Sequence, residues 1–320
     1  MRVRDVGEFG LIARIARRAA RGAALGGAVR IGIGDDAAVL RLRRGEELAV
    51  TTDAAVEGVH FRWRTTPARL AGRRALRAAL SDLSAMGARP LGFTLSLTAP
   101  PSLALAALEG LVGGLLTEAR AAGCPLVGGN VARGAVASVT LAVLGAVRSG
   151  RALRRDAARP GDRIFVTGTL GAAALDVART ERGGGPARHL PPVRLASGQA
   201  LARLSRVGAC IDVSDGLLAD LGHVVEASGV GAQLDVSRLP LPRGFARACA
   251  KLHLDPLALA LAGGEDYELL FTVRPGGSGR PGGPGEATLS RRLGSEVREI
   301  GCIVKGRGVR GFDVRGFTHF

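Results

Sequence analysis

The chain has 320 residues, a length that suits two domains of about 150 residues each. It is 47% hydrophobic and carries a net charge of +16, which excludes a disordered chain and raises nucleic acid as a partner. The basic residues are almost all arginine, with lysine only at Lys251 and Lys305. They are scattered over helix-like segments without aromatic interleaving, so the pattern argues against a nucleic-acid-binding module.

The first predicted element is a helix over Gly7 to Arg21, with Phe9, Ile12, Ile15, Ala16 and Ala19 at helical spacing. It is basic and amphipathic, unlike a signal peptide, and no uninterrupted apolar run reaches the roughly 18 residues of a membrane span. A cytoplasmic protein is expected. Val29 to Leu40 and Leu48 to Thr52 read as strands, and Pro67 to Met86 as a long helix. Leu91 to Leu97 reads as a strand and Ser102 to Ala122 as a helix. Leu126 starts a strand that runs into the turn-like GGNVARG, and Val136 to Val147 is another strand.

Between Ser149 and Asp162 the sequence turns basic and loop-like before a new strand begins at Arg163. This places a boundary between domains 1–148 and 149–320. Cys210 to Val213 is a strand ending in DVSDG, followed by a helix from Leu217 to Ala227. Ala232 to Val236 is strand-like, Arg243 to Lys251 helical, and AGGEDYELLFTV a turn and a strand. Residues 275–286 are a glycine- and proline-rich loop, and a last helix and the strand Glu299 to Val304 close the domain. The four cysteines are far apart with no CxxC spacing, which disfavours zinc and disulfides and fits a reducing compartment.

Acidic residues interrupt the apolar segments: Asp35, Asp36, Asp53, Asp82, Asp212, Asp215, Glu265 and Asp266. An ionised carboxylate taken out of water needs a counter-charge or a metal. This many acids suit a cluster of hard divalent cations such as Mg²⁺, which bind through carboxylates and substrate phosphates. A P-loop is excluded, because neither lysine lies in GxxxxGK[ST]. GIGDD, GGNVARG and DVSDG can instead offer backbone N–H groups to phosphate oxygens. Nothing like GxSxG surrounds Ser214 or accompanies His60, so a covalent triad is not expected.

These segments, in order, resemble the thiamine-monophosphate kinase family, of the superfamily that includes aminoimidazole ribonucleotide synthetase and selenophosphate synthetase. The resemblance is carried by GEFGLIARI, GIGDDAAVL, TTDAAVEGVHF, LSDLSAMGARP, GGNVARG, GRALRRDAARPGD, IDVSDGLLADLGH, GGEDYELLFT and the ending GFTHF. It implies two α/β domains of the aminoimidazole ribonucleotide synthetase-like α+β type, with the active site in the cleft between them. It also implies a homodimer paired through the N-terminal, ATP- and metal-binding domain. The implied reaction is direct in-line transfer from ATP to thiamine monophosphate, giving thiamine diphosphate. By motif, Asp36, Thr51, Thr52, Asp53, Asp82, Asn130, Asp212 and Asp215 would hold several Mg²⁺ ions. Gly129, Asn130, Arg155 and Ser214 would contact ATP, and His60, Glu265 and Phe317 the thiamine phosphate. No residue acts covalently; the metals and Arg155 would stabilise the transition state.

Two positions depart from the family pattern. Asn130 stands where an aspartate usually binds metal, so one Mg²⁺ should bind less tightly, which leaves a weakened paralogue as an alternative. In the ending GFTHF no acidic residue precedes His319. Another ATP-dependent member of the superfamily is the remaining alternative. Selenophosphate synthetase would want an early reactive cysteine, yet none precedes Cys124, and Cys302 is too far from the end for a hydrogenase-maturation relative.

Overall fold

In the computed structural model, described for residues 1–20, 28–33, 37–275 and 284–312, the chain divides into two compact units. The first comprises Met1–Leu83, Arg89–Ser149 and Gly185–Leu190; the second comprises Ser84–Ala88, Gly150–Gly184 and Pro191–Phe320. Each unit therefore contains a short segment taken from the sequence of the other. Gly185–Leu190 is tied into the first unit by the Ala187 N–H on the Thr65 carbonyl (2.8 Å) and Arg74 Nε on the His189 carbonyl (2.9 Å). Ser84–Ala88 is tied into the second by the Leu153 N–H on the Met86 carbonyl (3.2 Å).

The first unit runs α1 (Gly7–Ala20), β1 (Val29–Ile31), β2 (Val39–Leu40), β3 (Glu46–Val56), α2 (Ala68–Ala85), β4 (Arg89–Ala99), α3 (Leu105–Ala122), β5 (Leu126–Arg133) and β6 (Ser138–Arg148). Its main sheet has the order β3-β6-β4-β5, antiparallel except for β4 and β5, which α3 joins as a crossover. Helix formers dominate α2, and Leu76, Ala79, Leu80 and Leu83 recur at helical spacing on its buried face. On α3, Leu108, Leu111, Val112 and Leu115 do the same, and Gly123 ends the helix in the left-handed conformation. The two helices approach so closely that a Cβ on Gly72 would lie 1.8 Å from the Leu111 carbonyl oxygen. Buried Glu118 accepts from both Arg73 and Arg77 across that seam.

The second unit contains β7 (Arg163–Thr167), α4 (Ala172–Glu181), α5 (Leu195–Arg203), β8 (Val207–Asp212), α6 (Leu217–Ser228), β9 (Gly231–Leu234), α7 (Phe245–Lys251), α8 (Pro256–Ala262), β10 (Leu269–Val273), α9 (Glu286–Leu293), β11 (Val297–Val304) and β12 (Gly308–Val309). Its sheet has the order β12-β9-β11-β7-β10-β8 and is covered on both faces. Ile164, Val166, Ile211 and Leu270 pack with α6, α7 and α8; Phe165, Cys210, Leu269 and Phe271 pack with α5 and α9. That two-sided burial explains why β7, β8 and β10 read as near-continuous apolar runs.

Three expectations need correcting. Val29 to Leu40 is a short antiparallel pair, β1 with β2, and not one strand. The strand expected at Leu48 to Thr52 extends over Glu46–Val56, paired with β6 along its whole length, so Asp53 sits inside it. Residues 128–133, expected as a turn, belong to β5 and pair with β4. Among the described residues no helix is long and apolar enough to cross a membrane. Asp35, Asp36, Phe317, His319 and most of the 275–286 loop lie outside the described residues.

Candidate functional site

In the first unit the candidate ligands are arranged by strand alternation. Thr51 and Asp53 lie opposite buried Val143 and Leu141 on β6, so both face the helical layer. Thr51 Oγ1 donates to Asp82 Oδ2, joining β3 to α2 and setting an Asp82 oxygen beside the Thr51 hydroxyl. Asp53 Oδ1 accepts the N–H of Ala54 at 2.7 Å. Thr52 points to the other face, where it is exposed.

Asn130 shares that other face, through its register with Ser96 and the pairing of Ser96 with Thr140. It lies on the opposite edge strand from Asp53, three strand spacings or about 14 Å along the sheet. Two ligands of one Mg²⁺ lie within about 4 Å of each other, so these two residues of one chain do not share an ion. Gly129 has a reason of its own to be glycine: a Cβ there would meet the Leu95 carbonyl oxygen at 2.2 Å. His60 is exposed in the loop after β3, and its Nδ1 accepts the Val56 N–H at 3.2 Å.

In the second unit two turns are stitched together. Buried Asp212 ends β8, and the chain then turns through Ser214, Asp215 and Gly216 into α6. The second turn, residues 263–268, runs from the end of α8 to β10. The Glu265 N–H donates to the Ser214 carbonyl, the Tyr267 N–H to the Val213 carbonyl, and the Val213 N–H to the Glu268 carbonyl, each at 2.8 Å. Gly264 is required by this contact, since a Cβ there would lie 2.4 Å from the Ser214 carbonyl oxygen.

Buried acids pin both turns from within. Asp220, 1% exposed, accepts the N–H groups of Ser214 (3.0 Å) and Asp215 (3.1 Å) on one oxygen. Burial, and then the charges of Asp212 and Asp215, push its carboxyl up to about 8. Asp215, Asp220 and His223 each offer a ligand atom, and these atoms lie within 4.8 Å of one another. Asp266 accepts the N–H groups of Gly171 (2.6 Å) and Ala173 (3.3 Å) at the start of α4. Burial raises its carboxyl to about 7. Asp266, an acid that the sequence groups with cation ligands, caps the start of α4. Glu268 takes both arms of Arg194 (2.6 and 2.7 Å) and the Thr167 hydroxyl (2.6 Å).

Arg155 is exposed in the loop before β7, with its carbonyl accepting from Ser228 Oγ at 3.1 Å. Sequence reasoning missed the roles of Asp220, Glu268 and Arg194. Asp220 had a local signal, five residues after Asp215 on the first turns of α6. Arg194 had none, because its partner is 74 residues away.

The donors gathered in each unit are almost all oxygens, suited to a hard cation and to phosphate. Residues 34–147 match the family model for the N-terminal domain of AIR synthase related protein, and residues 159–278 the model for the C-terminal domain. A thiamine-monophosphate kinase of Salmonella typhimurium is 40% identical, over 98% of each chain. That of Escherichia coli K12 is 44% identical over 83% of this chain and 82% of its own. The crystal structure of thiamine-monophosphate kinase from Stenotrophomonas maltophilia superposes with a TM-score of 0.79 at 36% identity, over 95% and 96% of the two chains. A structure described as AaThiL complexed with AMPPCP and TMP superposes with a TM-score of 0.75 at 29% identity, covering 100% and 99%.

Proposed function

This chain belongs to the thiamine-monophosphate kinase family, built of AIR synthase related domains, and on that premise we propose how it phosphorylates thiamine monophosphate with ATP. An oxygen of the acceptor phosphate bonds to the γ-phosphorus of ATP while the bond from that phosphorus to the β–γ bridging oxygen breaks. ADP leaves with the electron pair. The acceptor is already ionised near neutral pH, so no strong base is needed and no phosphoenzyme forms. What remains for the protein is positioning and charge neutralisation.

Mg²⁺, when bound, supplies positive charge to the phosphate oxygens, and the all-oxygen donors present fit it. Thr51, Asp53 and Asp82 in the first unit and Asp212 and Asp215 in the second are the described residues that would hold it, with Thr52 and Asn130 on the other sheet face. Asp36 joins them by resemblance alone. Arg155 and Ser214 bind ATP, with Gly129 beside them in the motif set, while His60, Glu265 and Phe317 hold the acceptor. Arg155 adds a planar, two-pronged donor for phosphate oxygens.

One observation carries this reading. The Ser214 carbonyl accepts the Glu265 N–H at 2.8 Å, so the residue assigned to ATP and the residue assigned to the acceptor sit on adjoining backbone. The test is an assay of purified protein with ATP, Mg²⁺ and thiamine monophosphate, following thiamine diphosphate directly. Stoichiometric formation of ADP and thiamine diphosphate is expected. Product from free thiamine but not from its monophosphate would move the chain to another kinase class.

A homodimer paired through the first unit's sheet is part of the proposal. Among the described residues β3 and β5 are the edge strands of this sheet, and β3 exposes Leu48 and Val50 to 48% and 63%. A second copy also offers a route for Asn130 to reach a metal that its own Asp53 does not share. Sedimentation should report a dimer, and Val50→Lys should shift it towards monomer. Free Cys124, Cys210, Cys249 and Cys302 support a cytoplasmic location.

A further inference from the structure

The turn from β8 into α6 uses its backbone amides internally. The Val213 N–H donates to the Glu268 carbonyl at 2.8 Å, and the N–H groups of Ser214 and Asp215 donate to Asp220 Oδ2 at 3.0 and 3.1 Å. Amides at the entry to a helix are ordinarily the donors that hold a phosphate oxygen. Here a carboxyl oxygen of the chain itself stands in that place. The expectation that DVSDG offers N–H groups to phosphate therefore does not hold for these three residues.

The position of Asp220 suits it to this task. Its own N–H donates to the Gly216 carbonyl at 3.0 Å, which sets it on the first turns of α6, and its side chain reaches back to residues 214 and 215. It is 1% exposed, so bulk water does not replace the acceptor it supplies. Gly216 precedes the helix without a capping side chain, and a Cβ there would lie 2.8 Å from the Ala262 carbonyl. That close approach bars a serine or aspartate from the usual capping position and leaves Asp220 as the acid that fixes the approach to α6.

The Ser214 and Asp215 side chains remain. Both residues are half-buried, and among the described residues neither side chain makes a hydrogen bond or an ion pair. An Asp215 oxygen lies within 4.8 Å of ligand atoms of Asp220 and His223. We propose that Asp220 is a positioning residue: by holding the amides of Ser214 and Asp215 it sets the Asp215 carboxylate for Mg²⁺ and closes the turn to bare phosphate. The inference rests on the kinase reading above, in which Asp215 holds Mg²⁺, and adds a residue outside the assigned set. Asp220 acts through the backbone of residues 214 and 215, and partners that orient a metal ligand govern metal affinity or activity by about ten- to a hundredfold. The consequence is selectivity. The turn takes nucleotide through its cation, and metal-free nucleotide finds these amides already occupied.

The test compares full-length wild type with Asp220→Asn and Asp220→Ala. Asn keeps an acceptor oxygen, so the Mg²⁺ concentration for half-maximal rate should stay within about threefold of wild type. Ala frees both amides and should raise it by about tenfold or more, with the KM for thiamine monophosphate unchanged. Equal Mg²⁺ titrations for wild type and Asp220→Ala overturn the proposal. So do Asn and Ala impaired alike, or a rise in the thiamine monophosphate KM that matches the Mg²⁺ shift, which would mean general loosening. Hydrogen exchange on wild type needs neither variant to fold. In enzyme free of metal and nucleotide, the Ser214 and Asp215 amides should already be protected, and Mg²⁺ with ATP should leave that protection unchanged. Protection that arises only with ATP would make these amides phosphate donors and reject the assignment. Failure of the underlying kinase reading is distinguishable: wild type would make no thiamine diphosphate, while exchange would still read the hold of Asp220 on the amides.

Discussion

In the first unit Thr51, Thr52 and Asp53 are consecutive residues of a regular strand, and the ladder to β6 decides which face each one serves. In the second unit only Asp212 ends a strand, paired with Leu269, while Ser214, Asp215 and Glu265 to Glu268 lie in turns where no ladder sets direction. There the backbone of one turn hydrogen-bonds the other, and three buried acids fix them from inside. Both regions hold oxygen donors still. The first does it with repeating backbone bonds that tolerate side-chain change. The second relies on individual side chains that have no substitutes.

Removing single pins tests that difference most severely. Arg194→Met leaves Glu268 buried without its counter-charge and should cost about 3–5 kcal/mol of unfolding free energy in urea. Asp220→Ala orphans the N–H groups of Ser214 and Asp215, for an expected loss of about 1–3 kcal/mol. Asp220→Asn keeps an acceptor and should recover most of it. By contrast Thr51→Val removes one hydroxyl bond to Asp82 from an otherwise intact ladder and should cost about 1 kcal/mol. A Thr51→Val loss equal to that of Arg194→Met would erase the distinction.

A pH series sharpens it further. The Asp266 carboxyl is raised from about 3.9 in the unfolded chain to about 7 in the folded one. The folded state therefore binds the proton more tightly. That contribution is fully present below about pH 4 and is lost as pH rises towards about 7. Asp266→Asn carries no titrating proton. Its stability relative to wild type should rise over that window and level off above it, as read from Tm at each pH. The smallest expected effect is in the first unit. Asn130→Asp restores a charge on β5 and should lower the Mg²⁺ concentration for half-maximal rate, with Tm unmoved; an unchanged Mg²⁺ titration rejects the metal role of that position.

The sequence carried the acids, their order and the two-part α/β architecture, because each motif is local and its residue types state their chemistry. It did not carry the pins. Asp266 looks like a ligand until Gly171, 95 residues away, is seen donating to it. GGNVARG looks like a turn because glycine usually weakens a strand. Only the Leu95 carbonyl, pressed against Gly129, explains why glycine is needed within β5. The span Val29 to Leu40 reads as one strand because apolar residues recur on both sides of GIGDD, although Gly34-Asp35 within that motif is itself a turn signal.

The exchange of short segments between the units bears on how such a protein can be inherited and rebuilt. The chain passes from one unit to the other at 83/84, 88/89, 149/150, 184/185 and 190/191, five times in all. A crossover between two related genes at residue 149 would therefore leave the first unit with a foreign Gly185–Leu190, and the second with a foreign Ser84–Ala88. The backbone bonds to Thr65 and Leu153 ignore side-chain identity, but the one from Arg74 does not. Hybrids should be viable when the gene that supplies residues 1–149 encodes an arginine at 74. A protein ending at residue 149 should fold poorly until a peptide spanning 185–190 is supplied.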